Sequence, residues 1–245
     1  MKKVLLTAAL LAAFSLNAYS QYHGAGSSEL PIKIEAGITL QHNNTFTTSS
    51  DFYAQSYDQN GFFDLKVDDI KNTPQPIPYI GFGADMTSRF DFIVKGIKFK
   101  VGYEHQEYTV LGKKEFFTEG YSVEDYVYDY NVSRIHINLS YYVSLQLLND
   151  NLQIGLGLGL LPVIPVGERP RQYNGIETEF SDHFSFGFNP ELKATLYIKD
   201  FYITASYGLV RNITDCYFGI SGGSGIKQNY DFISIGVGYH FYRNK

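Results

Sequence analysis

Apolar and polar residues alternate with period two along most of the chain. From Ile32 to Gln41 the even positions are Ile32, Ile34, Ala36, Ile38 and Leu40, and the odd ones are Lys33, Glu35, Gly37, Thr39 and Gln41. A β-strand turns successive side chains to opposite faces, so this segment reads as a strand with one apolar and one polar face. Ile80, Phe82, Ala84 and Met86 alternate in the same way with Tyr79, Gly81, Gly83 and Asp85, and the phase carries on through Ser88, Phe90 and Phe92. Lys95-Gly96 then reads as a tight turn. Ile97, Phe99, Val101 and Tyr103 follow, set against Lys98, Lys100, Gly102 and Glu104.

The rhythm resumes with Ile135, Ile137, Leu139, Tyr141, Val143 and Leu145 opposite Arg134, His136, Asn138, Ser140, Tyr142 and Ser144. After a turn at Asn149-Asp150-Asn151, Leu152, Ile154, Leu156, Leu158 and Leu160 alternate with Gln153, Gly155, Gly157 and Gly159. Phe184 to Ile198 and Phe201 to Leu209 flank the turn Lys199-Asp200, and Ile233 to Tyr242 is the last such segment. The reading is all-β, with eight strands. Their connections alternate between long (43–77, 112–125, 164–179, 212–228) and short, which places every long loop at one end of an antiparallel up-and-down barrel. Transmembrane β-barrels are built in this way.

Period two does not say which face points outward, and a soluble lipocalin-like barrel would turn its apolar face inward. Three features favour the membrane. The polar face carries many glycines, among them Gly81, Gly83, Gly155, Gly157, Gly159, Gly236 and Gly238, which suit a crowded interior better than a water-facing surface. Segments such as 182–198 exceed the ~9–11 residues that a tilted strand needs to cross a bilayer. Phe90, Phe92, Phe201, Tyr239 and Phe241 sit on the apolar face near the turn ends, where an interfacial aromatic girdle belongs.

Composition then narrows the class. Only 18% of residues are charged and mean hydropathy is −0.17, values that exclude a disordered tail and a bundle of membrane helices. Lys2 and Lys3, the apolar run Val4 to Leu16 and the small-residue stretch Asn17-Ala18-Tyr19-Ser20 have the order of a secretory signal peptide. The expected organisation is a signal over residues 1–20 and one barrel domain over 21–245. Loss of Lys2 and Lys3 makes the net charge more negative than −5, and an acidic chain without basic blocks argues against nucleic-acid binding. Cys216 is the single cysteine, so no internal disulfide is expected.

The mature chain is similar to the small eight-stranded outer-membrane barrels typified by OmpX and the transmembrane domain of OmpA, and more loosely to PorT-like barrels. The last strand, Ile233-Ser234-Ile235-Gly236-Val237-Gly238-Tyr239-His240-Phe241, carries the likeness most specifically. Its Tyr239 and Phe241 resemble the aromatic-ended signal that such families present to the barrel-assembly machinery, although four more residues follow Phe241 here. The resemblance implies export by the secretory pathway, residence in the outer membrane of a Gram-negative-type envelope, and outer-membrane lipid and the assembly machinery as partners. It also implies a monomer without cofactors.

Chemistry can be sought on both faces. By parity the lumen holds Lys33, Arg89, Lys98, Lys100, Arg134 and Lys193 against Glu35, Asp85, Asp91, Glu104 and Glu191, nearly balanced. An eight-stranded barrel is only wide enough for side chains to fill it, so mutual pairing into a plug is expected, with a small pore or transport path as the alternative. For lipid-modifying chemistry, His183, Ser185 and Glu191 share the lumen parity, while a lipid arrives from outside. His105 takes the outward parity, yet no serine or acid pattern accompanies it, and an enzyme is not expected. No His or Cys spacing resembles a metal site. Function is therefore assigned to the loops. Phe52, Tyr53, Tyr57, Phe62 and Phe63 in the first long connection, and Tyr121 in the second, are the candidate contacts for an extracellular or envelope protein or glycan. A PorT-like accessory role in protein export is a further alternative.

Overall fold

The computed structural model describes residues 31–48, 53–58, 61–86, 92–116, 122–148, 151–166, 184–214 and 226–241. Every regular element among them is a strand: β1 (Ile32–Thr48), β2 (Tyr53–Asp58), β3 (Gly61–Asn72), β4 (Ile77–Met86), β5 (Ile93–Phe116), β6 (Ser122–Leu147), β7 (Leu152–Pro165), β8 (Ser185–Ile198), β9 (Phe201–Asn212) and β10 (Ile226–His240). All pairings are antiparallel. β5-β4-β1-β10-β9-β8-β7-β6 run side by side, and β6 pairs back onto β5, so eight strands close a ring. Closure leaves no free edge within the ring, which is the condition for a sheet to sit in lipid.

The hairpin β2–β3 lies outside this ring. β3 pairs with the upper part of β5, from Phe63↔Phe116 to Asn72↔Tyr108. β5 and β6 stay paired over their full length, from Ile93↔Leu145 up to Phe116↔Ser122, far beyond the point where β7 ends. A four-stranded sheet, β2-β3-β5-β6, therefore stands above the barrel on its long-loop side. Two expected loops are corrected by this. Most of 43–77 is strand, and 112–125 is a hairpin whose arms reach Phe116 and Ser122. These segments hydrogen-bond to one another rather than cross a bilayer, so they need no continuous apolar face.

The turn expected at Lys95-Gly96 is also corrected. Both residues lie inside β5, where Gly96 pairs with Asp85 on one side and Tyr142 on the other. The connection from β4 spans 87–92 instead. A Cβ at Gly96 would run into the Tyr142 ring and the Ala84 carbonyl, so this glycine makes room for an aromatic and does not turn the chain. The remaining short turns fall where the alternation put them, and Lys199 adopts φ 61° between β8 and β9. At the barrel's upper rim a register shift between His42 and Thr45 marks a bulge, and Asn43 takes φ 51° there, a conformation Asn tolerates well.

Burial alternates strictly with sequence, and its sense is inverted relative to a soluble protein. Leu156 and Leu158 are 68% and 61% exposed, whereas Glu35 and Glu104 are 2% and 0% exposed. On each ring strand the even–odd reading above gives the observed face. The outward apolar band from Ile32 to Leu40 spans about nine residues, which at ~3.3 Å each and a tilt of ~40° rises roughly 23 Å, close to the ~25 Å band of membrane barrels.

Candidate functional site: the charged lumen

The odd residues of β1 and the inward residues of β4 to β10 converge on the barrel axis in layers. Nearest the short turns, Lys33 Nζ lies 2.7 Å from Asp85 Oδ2, and the Tyr142 hydroxyl donates to Asp85 Oδ1. His240 Nε2 is 3.8 Å from Asp85. Lys33 Nζ also stands 5.3 Å from the Tyr197 ring centre and 5.9 Å from that of Tyr202, so aromatic faces share in neutralising it. Tyr197 donates to Gln153 Oε1 at 3.1 Å.

The middle layer centres on Glu35. Its Oε1 accepts from Lys98 Nζ at 2.6 Å and from the Tyr79 hydroxyl at 2.6 Å. Lys100 Nζ is 3.9 Å from Glu191 Oε2 and 4.9 Å from the centre of the Tyr79 ring. Lys193 Nζ lies over the face of Tyr142 at 4.4 Å. Higher up, Glu104 meets His136 Nε2 and accepts from Gln41 Nε2 at 3.3 Å. Gln106 donates to Gln41 at 2.9 Å, Tyr108 donates to Gln106 at 2.9 Å, and Arg134 donates to Gln228 at 2.9 Å. Each of these groups is buried. A charge in such a place is costly unless paired, and pairing of this kind is what makes so charged an interior tolerable.

Voids interrupt the packing. One of about 50 Å³ lies between the middle and upper layers, against Lys100, His136, Asn138 and Asn189, and one of about 10 Å³ lies among Lys33, Glu35, Lys98 and Lys193. The first has room for a few waters and the second for about one. Asn138 Oδ1 and both side-chain polar atoms of Asn189 face the larger void without a protein partner, which suits bridging water.

Of the lumen residues expected from sequence, Lys33, Glu35, Asp85, Lys98, Lys100, Glu104, Arg134, Glu191 and Lys193 converge as described. Arg89 and Asp91 lie outside the described residues. The tyrosines Tyr79, Tyr142, Tyr197 and Tyr202, together with Gln41, Gln106 and Gln228, were not singled out, although their inward parity was available. Gln106, Tyr108 and Gln228 lie where β5 and β10 continue past the stretches whose alternation is clear.

Among the candidate loop contacts, Tyr53 and Tyr57 lie in β2 and Phe62 and Phe63 in β3, with Tyr57↔Phe62 and Phe63↔Phe116 as backbone partners. Phe52, Tyr121 and Cys216 lie outside the described residues, as does the proposed signal over 1–20. Ser185 and Glu191 face the lumen on β8, and His183 is outside the described residues. No group of three or more His, Cys, Asp or Glu side chains that could hold a metal occurs among the described residues. Tyr239 stacks edge-on against Phe201 at 5.1 Å and Phe241 at 4.7 Å, an aromatic cluster on the outer face beside the short turns.

A closed ring with apolar residues outside and buried ion pairs inside cannot be a water-soluble barrel. The molecule is a β-barrel of the outer-membrane type. No protein-family model and no curated protein sequence matches the barrel's chain. Among solved structures the barrel is similar to the outer membrane protein OprG from Pseudomonas aeruginosa, at 15% identity over 89% of this chain and 99% of that one, with a TM-score of 0.49. It is similar also to Neisserial surface protein A, at 11% identity over 86% and 97% with a TM-score of 0.40. The Ail protein of Yersinia pestis resembles it at 10% identity over 87% and 100%, again with a TM-score of 0.40.

Proposed function

We propose that the protein is an integral outer-membrane barrel whose lumen is closed by its own side chains, and whose activity toward partners resides in the sheet that projects above the membrane. The observation that carries the first half is the filled lumen: each layer is knit by ion pairs, hydrogen bonds and aromatic contacts, and the voids described above are water-sized. Support for the second half comes from β2-β3-β5-β6. A loop that merely joins two strands has no need of a hydrogen-bonded sheet, while a rigid sheet holds contact residues in fixed relation. Tyr53, Tyr57, Phe62 and Phe63 lie in that sheet, and its partner is proposed to be a protein or glycan of the cell surface or envelope.

Planar-bilayer recording of the purified barrel tests the closed lumen, and steady single-channel openings would favour the pore reading instead. For the partner, photo-crosslinkers placed at Tyr57 and Phe62 in intact cells are expected to capture a discrete adduct. A barrel lacking residues 53–72 is expected to fold and to lose that adduct.

A further inference from the structure

The outer face of the β5–β6 pair changes from apolar to polar within a few residues. Going upward, the facing pairs are Tyr103↔Ile135, His105↔Ser133, Glu107↔Asn131 and Thr109↔Asp129. His105 and Ser133 therefore sit at the upper limit of the apolar band, the level at which a bilayer passes from acyl chain to head group. Their side chains meet: His105 Nδ1 is 3.0 Å from Ser133 Oγ. The Tyr103 hydroxyl reaches the same Oγ at 3.3 Å. His105 is exposed and Ser133 is half-buried, so both are accessible from the surrounding lipid. The serine invisible beside His105 along the chain is thus supplied from across the sheet.

One donor is placed for a developing oxyanion. The amide of Val166 donates to the Ser133 carbonyl at 2.7 Å, one residue beyond the end of β7. Since N–H and C=O of one strand residue point to the same side, the Ser133 N–H lies in that ladder too, in the plane of the sheet. The Tyr103 hydroxyl, which donates to Oγ, is the group within reach of that oxygen.

We propose that Ser133 and His105 form a hydrolytic site for carboxylic esters of membrane lipids in the outer leaflet. Ser133 Oγ attacks the ester carbonyl carbon as its proton passes to His105 Nδ1, and the carbonyl oxygen becomes an oxyanion to which the Tyr103 hydroxyl donates. The bond from carbon to the lipid alcohol then breaks, and the leaving alcohol takes the proton from His105. Water entering from the polar side of Ser133 repeats the sequence on the acylated serine, which frees the fatty acid and restores Ser133. The lipid's own partition into the bilayer brings the ester to the site, so no concave pocket is required for its acyl chains.

The test uses the full-length folded barrel in mixed micelles, with phosphatidylethanolamine in one arm and lipopolysaccharide in the other, and fatty-acid release read by mass spectrometry. Release is expected in at least one arm, which identifies the lipid, and S133A and H105Q are each expected to lower it by at least about 100-fold. A fluorophosphonate probe is expected to label Ser133 in the parent and not in H105Q. Retained heat-modifiable mobility of both variants separates loss of chemistry from loss of fold. Release in neither arm above the S133A background overturns the proposal, as does release that survives both substitutions.

Discussion

Glu35→Ala is the substitution that most sharply separates a filled lumen from a wet one. Glu35 is 2% exposed, and its carboxylate accepts from both Lys98 and Tyr79 at 2.6 Å. In a water-filled channel the Glu35–Lys98 pair would behave like a surface ion pair, with a contribution of about 0–1 kcal/mol. In the packed lumen, its loss strands the Lys98 ammonium and leaves the Tyr79 hydroxyl without its acceptor. Breaking a buried pair costs about 3–5 kcal/mol, and the orphaned hydroxyl adds about 1–3 kcal/mol, partly overlapping with it. Lys98→Met alone is expected to cost about as much, because Glu35 is then the stranded partner. The double variant Glu35→Ala/Lys98→Met removes both charges and is expected to recover at least half of the single-variant loss, with a coupling of about 2 kcal/mol. The chain has no Trp, so equilibrium urea unfolding in lipid vesicles is followed by far-ultraviolet circular dichroism and by heat-modifiable gel mobility. A Glu35→Ala barrel within about 1 kcal/mol of the parent, the range of an exposed pair, or purely additive single effects, would refute the packed lumen.

Other expectations follow from the same geometry. Leu158→Arg, in the middle of the outward face of β7, is expected to destabilise the barrel in vesicles by about 2–4 kcal/mol, while Val166→Arg at the upper rim costs about 0–1 kcal/mol, both measured by urea unfolding. Gly96→Leu is expected to reduce the heat-modifiable fraction on refolding, because the new side chain meets the Tyr142 ring and the Ala84 carbonyl. Deletion of 53–72 with a short linker is expected to leave the urea midpoint of the ring nearly unchanged, since the backbone ladder of β3 joins the ring along the upper part of β5, with Asn72 adding side-chain bonds to Asn44 and Gln106 at the rim.

The ring strands were legible in the sequence because each must satisfy two solvents at once. Ile32 to Gln41 and Leu152 to Leu160 show lipid to one face and lumen to the other, and the alternation records it. Above the membrane that demand lapses. Gly112-Lys113-Lys114-Glu115 looks like a loop, yet it is the upper part of β5, held by β3 and β6. Gly96 misled because a residue without a side chain does not declare a face, and beside Lys95 it imitates a turn.

The lumen network was legible in part for a related reason. Parity assigns Lys98 and Glu35 to one face, but their meeting depends on the register of β1, β4 and β5 together, over 63 residues of separation. Aromatic partners such as Tyr79 and Tyr142 were hidden by chemistry: a tyrosine on a polar face says little until the carboxylate it donates to is known. Ser133 and His105 illustrate the same limit on the outer face, since only the β5–β6 register brings them opposite each other.

The claim on which everything else depends is that the ring stands in lipid with its even–odd faces inverted relative to a soluble protein. Spin-label accessibility along β7, in a Cys216→Ser background reconstituted in vesicles, tests it most directly. Labels at Ile154, Leu156, Leu158 and Leu160 are predicted to be open to oxygen dissolved in the bilayer and closed to a water-soluble nickel chelate. Labels at Gln153, Leu161 and Val163 are predicted to be closed to both. Nickel access at the four outward positions, or no alternation between the two sets, would contradict the account.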